Sequence, residues 1–259
     1  MLLWDLSCKT LTYPALSSIF YFGISYILGM NRSVFKSLYK NNRHYQQVIR
    51  IVGAFYNLSM TCFSGFVFYH LAVSVIQEYG TLFNHDVWFE KRFTENVKIL
   101  NIGWLFCHSK TVEYFDTFFV LLKGGRPIFL QTFHHFGAVW CWFLLVYVDS
   151  SAVIMTTLLN SFVHTLICFY YFLSVFDKHK IISPIKPIMT FIQQLQLAYG
   201  FYTCLIGYFM RHCQGTLNDR YIFTAMIFLF YGFCLNLLFL QFSFVNYIKP
   251  KQKSVSKDL

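Results

Sequence analysis

Phe129–Val148 reads FLQTFHHFGAVWCWFLLVYV: an apolar run in which Gln131, His134 and His135 are the strongly polar side chains. A helix of this length is about 30 Å long, which matches the hydrocarbon core of a bilayer. Gln131, His134 and His135 follow an i, i+3, i+4 spacing, so they share one helical face. A polar group in hydrocarbon must be satisfied by protein or by water in a cavity. The stretch therefore predicts a membrane-spanning helix whose polar stripe points into a protein interior.

The rest of the chain repeats the pattern. It has 259 residues, 56% hydrophobic and 12% charged, with a mean hydropathy of +0.49. Soluble domains carry about 25% charge. Seven spans are predicted: Leu11 to Met30, Ile49 to Ile76, Gly103 to Leu122, Phe129 to Val148, Ala152 to Phe176, Pro187 to Met210 and Tyr221 to Ile248. The third contains Lys110, Glu113 and Asp116 and has the poorest hydropathy case. The expectation is an all-α integral membrane protein forming one polytopic domain over residues 1–259, its first helix serving as its own targeting signal.

The net charge of +10 does not point to nucleic acid, because the basic residues sit between apolar runs without stacking aromatics on a polar face. They set topology instead. Residues 31–50, 123–128, 177–186 and 249–259 together hold 14 Lys and Arg, against 6 in the N-terminus, 77–102 and 211–220. The positive-inside rule then places the first set in the cytosol, with a lumenal or external N-terminus and a basic cytosolic tail from about residue 249. The sequons at Asn31 and Asn57 fall in a cytosolic loop and a span, so neither is expected to carry glycan. The eight cysteines lack CxxC spacing, which leaves thiols that pack as small hydrophobes.

The polar residues inside the spans are grouped. The second span carries Asn57, Thr61 and Ser64; the third Lys110, Glu113, Asp116 and Thr117; the fifth Asn160 and His164; the sixth Thr190, Gln193 and Gln196. Counted back from the cytosolic helix ends, Asp116, His134 and Gln193 lie at roughly 8 to 9 Å and His164 at roughly 18 Å. Five polar faces thus converge in the cytosolic half of the membrane. Interhelical hydrogen bonding, at about 0.6 to 2 kcal/mol per bond, accounts for Asn57, Thr61, Ser64 or Thr190 singly but poorly for so many titratable groups together. A metal-dependent lipid oxygenase needs more histidines than His134, His135 and His164, and no metal ligand set is expected. A serine hydrolase lacks its GxSxG elbow. A non-catalytic transporter or receptor fits the span number but not the gathered carboxylates and histidines. Histidine acting as general base or as nucleophile remains.

Four ordered segments, KTVEYFDTFF (Lys110 to Phe119), LQTFHH (Leu130 to His135), NSFVH (Asn160 to His164) and TFIQQLQ (Thr190 to Gln196), resemble the motifs of the ELO-type very-long-chain fatty acid elongases. The lysine, glutamate and Asp-Thr motif maps onto Lys110, Glu113, Asp116 and Thr117. Gln131 stands where most members have histidine, as in some members acting on polyunsaturated chains. Ile167 and Cys168 replace the usual Met-Tyr pair, while Tyr170 and Tyr171 are retained. The basic run after the third span is thinned to Lys123, Gly124, Gly125 and Arg126.

The resemblance implies an endoplasmic reticulum 3-ketoacyl-CoA synthase in which six of seven helices ring an acyl-chain tunnel. Its substrates would be a long-chain acyl-CoA and malonyl-CoA, its products 3-ketoacyl-CoA, CoA and carbon dioxide, with no cofactor. Its partners would be membrane lipid and the reductase and dehydratase of the elongation cycle; a homodimer is left open. On this reading His134, ahead of His164, takes the acyl group as an acyl-imidazole. His135, His164, Asn160, Gln193 and Gln196 stabilise oxyanions, Asp116 or Glu113 fixes an imidazole, and Lys110 offsets their charge. The CoA phosphates would meet Lys123, Arg126, Lys178, Lys180, Lys186 and Lys249 at the cytosolic mouth, and the acyl chain would run along spans six and seven.

Overall fold

A computed structural model of the chain describes residues 10–82, 97–148, 150, 152–176, 181–215 and 219–248. These residues are helical, with no strand among them: α1 (Thr12–Met30), α2 (Arg32–Asn41), α3 (Arg43–Tyr79), α4 (Val97–Val112), α5 (Tyr114–Leu122), α6 (Phe129–Tyr147), α7 (Ala152–Phe176), α8 (Lys186–Cys213) and α9 (Asp219–Ser243). A 3₁₀ turn at Ser183–Ile185 leads into α8, and a π turn at Phe244–Ile248 ends α9.

Local sequence explains the helix boundaries. Pro14 sits in the first turn of α1, where its missing N–H has no intrahelical partner to lose. The Asn42 side chain caps α3 by accepting from the Tyr45 N–H at 3.0 Å, and Gly80, at φ 79°, ends that helix in the left-handed conformation. Residues 31–50, read from the sequence as a loop, instead form α2 and the first turns of α3. The apolar residues Val34, Phe35, Leu38 and Tyr39 keep helical spacing there, yet α2 buries none of its residues.

Among the described residues five helices are long and apolar enough to cross a membrane: Thr12–Met30, Arg43–Tyr79, Phe129–Tyr147, Ala152–Phe176 and Asp219–Ile248. They match five of the seven predicted spans. The predicted third span, Gly103 to Leu122, is instead two helices that meet at Glu113. There the Asp116 N–H bonds the Glu113 carbonyl at 3.1 Å, an i→i+3 turn that tightens the chain. The sixth is a continuous helix, α8, but Gln193, Gln194 and Gln196 with Lys186, Arg211 and His212 leave it more polar than the five.

Large apolar side chains such as Leu16, Ile19, Phe55 and Phe230 stand more than half exposed on the outer surface. Patches of that kind need a lipid or protein cover. With five helices of spanning length and composition, the chain is a multi-pass membrane protein. The core inside joins α3, α4, α6, α7, α8 and α9 through residues including Val67, Phe106, Phe143, Val153, Cys204 and Leu235. The α1 helix is tied on separately: Tyr21 stacks on Tyr114 at 4.2 Å and shares a 3.0 Å hydrogen bond with Thr117, while Trp140 donates to Ser18 Oγ at 3.0 Å. Of the seven cysteines among the described residues, Cys107, Cys141, Cys168 and Cys204 are buried as expected, whereas Cys62 and Cys213 are exposed.

The turn between α5 and α6 sits beside the site and depends on glycine. Gly124 has φ 73°, and a Cβ there would lie 2.4 Å from Lys36 Cα. Arg32 Nε donates to the Gly124 and Gly125 carbonyls at 3.0 and 3.2 Å, so the turn is fixed against α2. Gly124→Ala should cost about 2 kcal/mol or more, from left-handed strain and the clash combined. A lowered thermal midpoint in detergent checks this; an unchanged midpoint would show that the turn relaxes freely.

Candidate active site

A cavity of about 460 Å³ opens among α3, α5, α6, α7, α8 and the end of α9. Its lining includes Asn57, Asp116, Gln131, His134, His135, His164, Tyr170, Tyr171, Thr190 and Gln193. The helical faces described from the sequence meet there because each contributes at its own spacing. A second, much narrower cavity of about 40 Å³ lies among α6, α7, α8 and α9 and includes Asn160, Gln196, Trp142, Gly200 and Tyr231. His134 lines both.

Lys110 and Glu113 line neither cavity and form the buried support behind them. Lys110 Nζ donates to Glu113 Oε1 and to Asn160 Oδ1, each at 2.6 Å, and stands 4.1 Å from the Phe106 ring centroid and 4.9 Å from that of Trp142. Asn160 Nδ2 then donates to Gln196 Oε1 at 3.4 Å, so α4, α7 and α8 share one polar chain. Helical geometry sets this pair: the Glu113 N–H still bonds the Ser109 carbonyl at 3.1 Å, so Lys110 and Glu113, three residues apart, share one inner face.

The three histidines differ in their surroundings. His164 Nδ1 is 3.5 Å from Glu113 Oε1, an arrangement that orients the ring and leaves Nε2 on its far edge. His135 is buried, with Nε2 4.0 Å from Asp116 Oδ2 and no hydrogen-bond partner for Nδ1 among the described residues. The His134 imidazole is only partly buried and has no hydrogen-bond partner among the described residues; its backbone carbonyl accepts from Tyr231 at 3.1 Å. Of the carboxylates the sequence offered, the structure pairs Glu113 with His164 and sets Asp116 beside His135. Among the described residues no group of three His, Cys, Asp or Glu side chains is arranged to hold a metal ion.

Other candidates take less central places. Asn57 Nδ2 and Thr61 Oγ1 bond carbonyls one turn back in α3, Ser64 is buried away from the large cavity, and Thr190 shares a 3.2 Å bond with Tyr247. Lys123 and Lys186 line the large cavity, while Arg126 is exposed and outside it. Lys178, Lys180 and Lys249 lie outside the described residues. Lys123 follows the end of α5; burial lowers its pKa from the usual lysine value, the Asp116 carboxylate opposes that shift, and Arg50 adds to it.

Arg50 is a cavity cation that sequence reading left in a basic loop. It lines the cavity and donates to the Val175 carbonyl at 2.7 Å. The signal was present: Arg50, Gly53 and Asn57 fall at i, i+3 and i+7 of one helix, and all three line the cavity. Tyr231 and Trp142 carried no such signal, because their roles depend on which helix faces which.

Comparison with known proteins adds the lineage. The chain is 30% identical over 154 residues to fatty acid elongase 3 of Trypanosoma brucei brucei, covering 58% of this chain and 50% of that one. It is 30% identical over 164 residues to very long chain fatty acid elongase 1 of Homo sapiens, covering 61% and 57%. Very long chain fatty acid elongase 7 of Rattus norvegicus is 30% identical over 205 residues, covering 76% and 70%. The matched stretch thus spans about half the length of the first two relatives. The family model described as ELO: GNS1/SUR4 family matches residues 8–255, a range that takes in every described helix and both cavities. The histidines, the buried lysine-glutamate pair and the helices that carry them all fall within that match, and the chain belongs to the ELO (GNS1/SUR4) family.

Proposed function

We propose that the protein is a fatty acid elongase, a 3-ketoacyl-CoA synthase that condenses a long-chain acyl-CoA with malonyl-CoA. The observation that carries this reading is the place of His134, a partly buried histidine at the junction of a large cavity with cations in its lining and a narrow one. A condensing enzyme needs a place for two CoA-bearing substrates and a slot for an apolar chain, with an acyl acceptor between them. Family membership and relatives named as fatty acid elongases support the same reaction.

In the first half-reaction a lone pair of the neutral His134 imidazole attacks the thioester carbonyl. A C–N bond forms, the C–S bond breaks, and CoA leaves as thiolate and takes up the proton that the acylated ring sheds. Malonyl-CoA then loses carbon dioxide. The resulting enolate carbon attacks the acyl-imidazole; the C–C bond forms as the C–N bond breaks, and the departing imidazolide takes a proton from solvent to restore neutral His134. Both halves place negative charge on oxygen, and His135, His164, Asn160, Gln193 and Gln196 are the donors offered to it. Glu113 orients His164, and Lys110 balances Glu113. Asp116 sets its carboxyl group beside His135.

Arg50, Lys123 and Lys186 take the CoA phosphates, and Lys178, Lys180 and Lys249 are further candidates at the same cytosolic mouth. The acyl chain enters the narrow cavity between α8 and α9, which widens into the family's tunnel when filled. In this arrangement α4 with α5, and α8, complete seven membrane passes in the endoplasmic reticulum, with a lumenal N-terminus and a cytosolic tail. Membrane-bound reductase and dehydratase partners consume the product.

The test is to supply purified protein with acyl-CoA and carboxyl-labelled malonyl-CoA. Labelled carbon dioxide whose release depends on acyl-CoA supports condensation; no release across a panel of chain lengths rejects it. Lys123→Ala should raise KM for CoA substrates about tenfold, the loss of one charge-assisted contact. An unchanged KM would remove Lys123 from the phosphate site.

A further inference from the structure

We propose that Tyr231 of α9 is a positioning residue for His134, an inference that rests on the reading of His134 as acyl acceptor. Tyr231 meets a single turn of α6 at three points. Its hydroxyl donates to the His134 carbonyl at 3.1 Å, and its ring stacks on Phe133 with centroids 5.4 Å apart. The ring also lies over Gly137, where an added Cβ would be 2.1 Å from Cε2. Only glycine at 137 admits the ring in this place.

The contact is specific in a further way. The His134 carbonyl belongs to the helical ladder of α6, so the tyrosine hydroxyl is a second donor to an oxygen that already serves the backbone. A buried tyrosine hydroxyl needs a partner, and this one finds it on the backbone of the residue that lines both cavities. Tyr231 itself lines the narrow cavity with His134. It therefore fixes the height and rotation of the His134 turn relative to the apolar slot, without touching the reacting atoms. Geometry of this kind acts on rate more than on binding, because small displacements of a reacting group lower the fraction of productive complexes.

The experiment compares wild-type protein with Tyr231→Phe, which keeps the ring packing and removes one oxygen. Three quantities are read: kcat and KM for condensation, the thermal midpoint, and the rate at which diethyl pyrocarbonate modifies His134, with His135 and His164 as internal references by peptide mass spectrometry. The expected result is a kcat lower by about five- to tenfold with KM and midpoint unchanged, and a changed modification rate at His134 alone. If wild-type protein does not condense, the condensation reading fails; a selective change at His134 still supports positioning. Unchanged kcat and modification rate would overturn it, leaving Tyr231 as an anchor between α9 and α6. A lowered midpoint with an unaltered His134 rate would overturn it as well.

Discussion

His134→Ala will reduce condensation by about 10³-fold or more and leave the thermal midpoint unchanged. Removing a covalent nucleophile deletes a route rather than weakening it, so losses of that size are expected. The midpoint should hold because the His134 imidazole faces the cavities and has no hydrogen-bond partner among the described residues. The backbone contact with Tyr231 survives the substitution. Paired turnover and thermal-shift measurements check this. A variant that turns over normally removes the acyl-imidazole scheme; one with a lowered midpoint assigns His134 a structural share.

Lys110→Met will destabilise the protein by about 3 to 5 kcal/mol, the cost of leaving one member of a buried ion pair without the other. Lys110 and Glu113 are 1% and 2% exposed, and Glu113 Oε2 already has no partner among the described residues. Losing the ammonium also frees Asn160 Oδ1 and with it the link to Gln196. The double variant Lys110→Met, Glu113→Leu should recover stability but not activity, since His164 would then lack its orienting carboxylate. Thermal midpoints of the single and double variants decide it. Equal midpoints for wild type and Lys110→Met would mean that water reaches the pair.

The sequence made the apolar helices and the convergent polar faces legible, because both follow from spacing along a single helix. Gln131, His134 and His135 share a face by their i, i+3, i+4 positions alone, and all three line the large cavity. What spacing could not supply was the break at Glu113. Lys110, Glu113 and Asp116 look like one stripe on one helix, yet Lys110 and Glu113 stay in the packed interior while the tightened turn that follows them sets Asp116 at the cavity wall. The polar face of α8 was legible by the same spacing, and Gln193 lines the large cavity while Gln196 lines the narrow one. Tyr231 lies 97 residues from its partner His134, a pairing that depends on how α9 packs against α6. Charge bias likewise found Lys123 and Lys186 but placed Arg50 with the surface loop, where its position on the first turns of α3 instead aims it at the cavity.

In the proposed mechanism His134 accepts the acyl group. The most direct test gives the protein a long-chain acyl-CoA with no malonyl-CoA, then follows free CoA and maps the acyl adduct by peptide mass spectrometry. The account predicts a burst of free CoA approaching one equivalent and a labile acyl group on the peptide containing His134, discharged when malonyl-CoA is added. An active enzyme that shows no burst and no adduct, or that carries the acyl group on His164 or a cysteine, would contradict it.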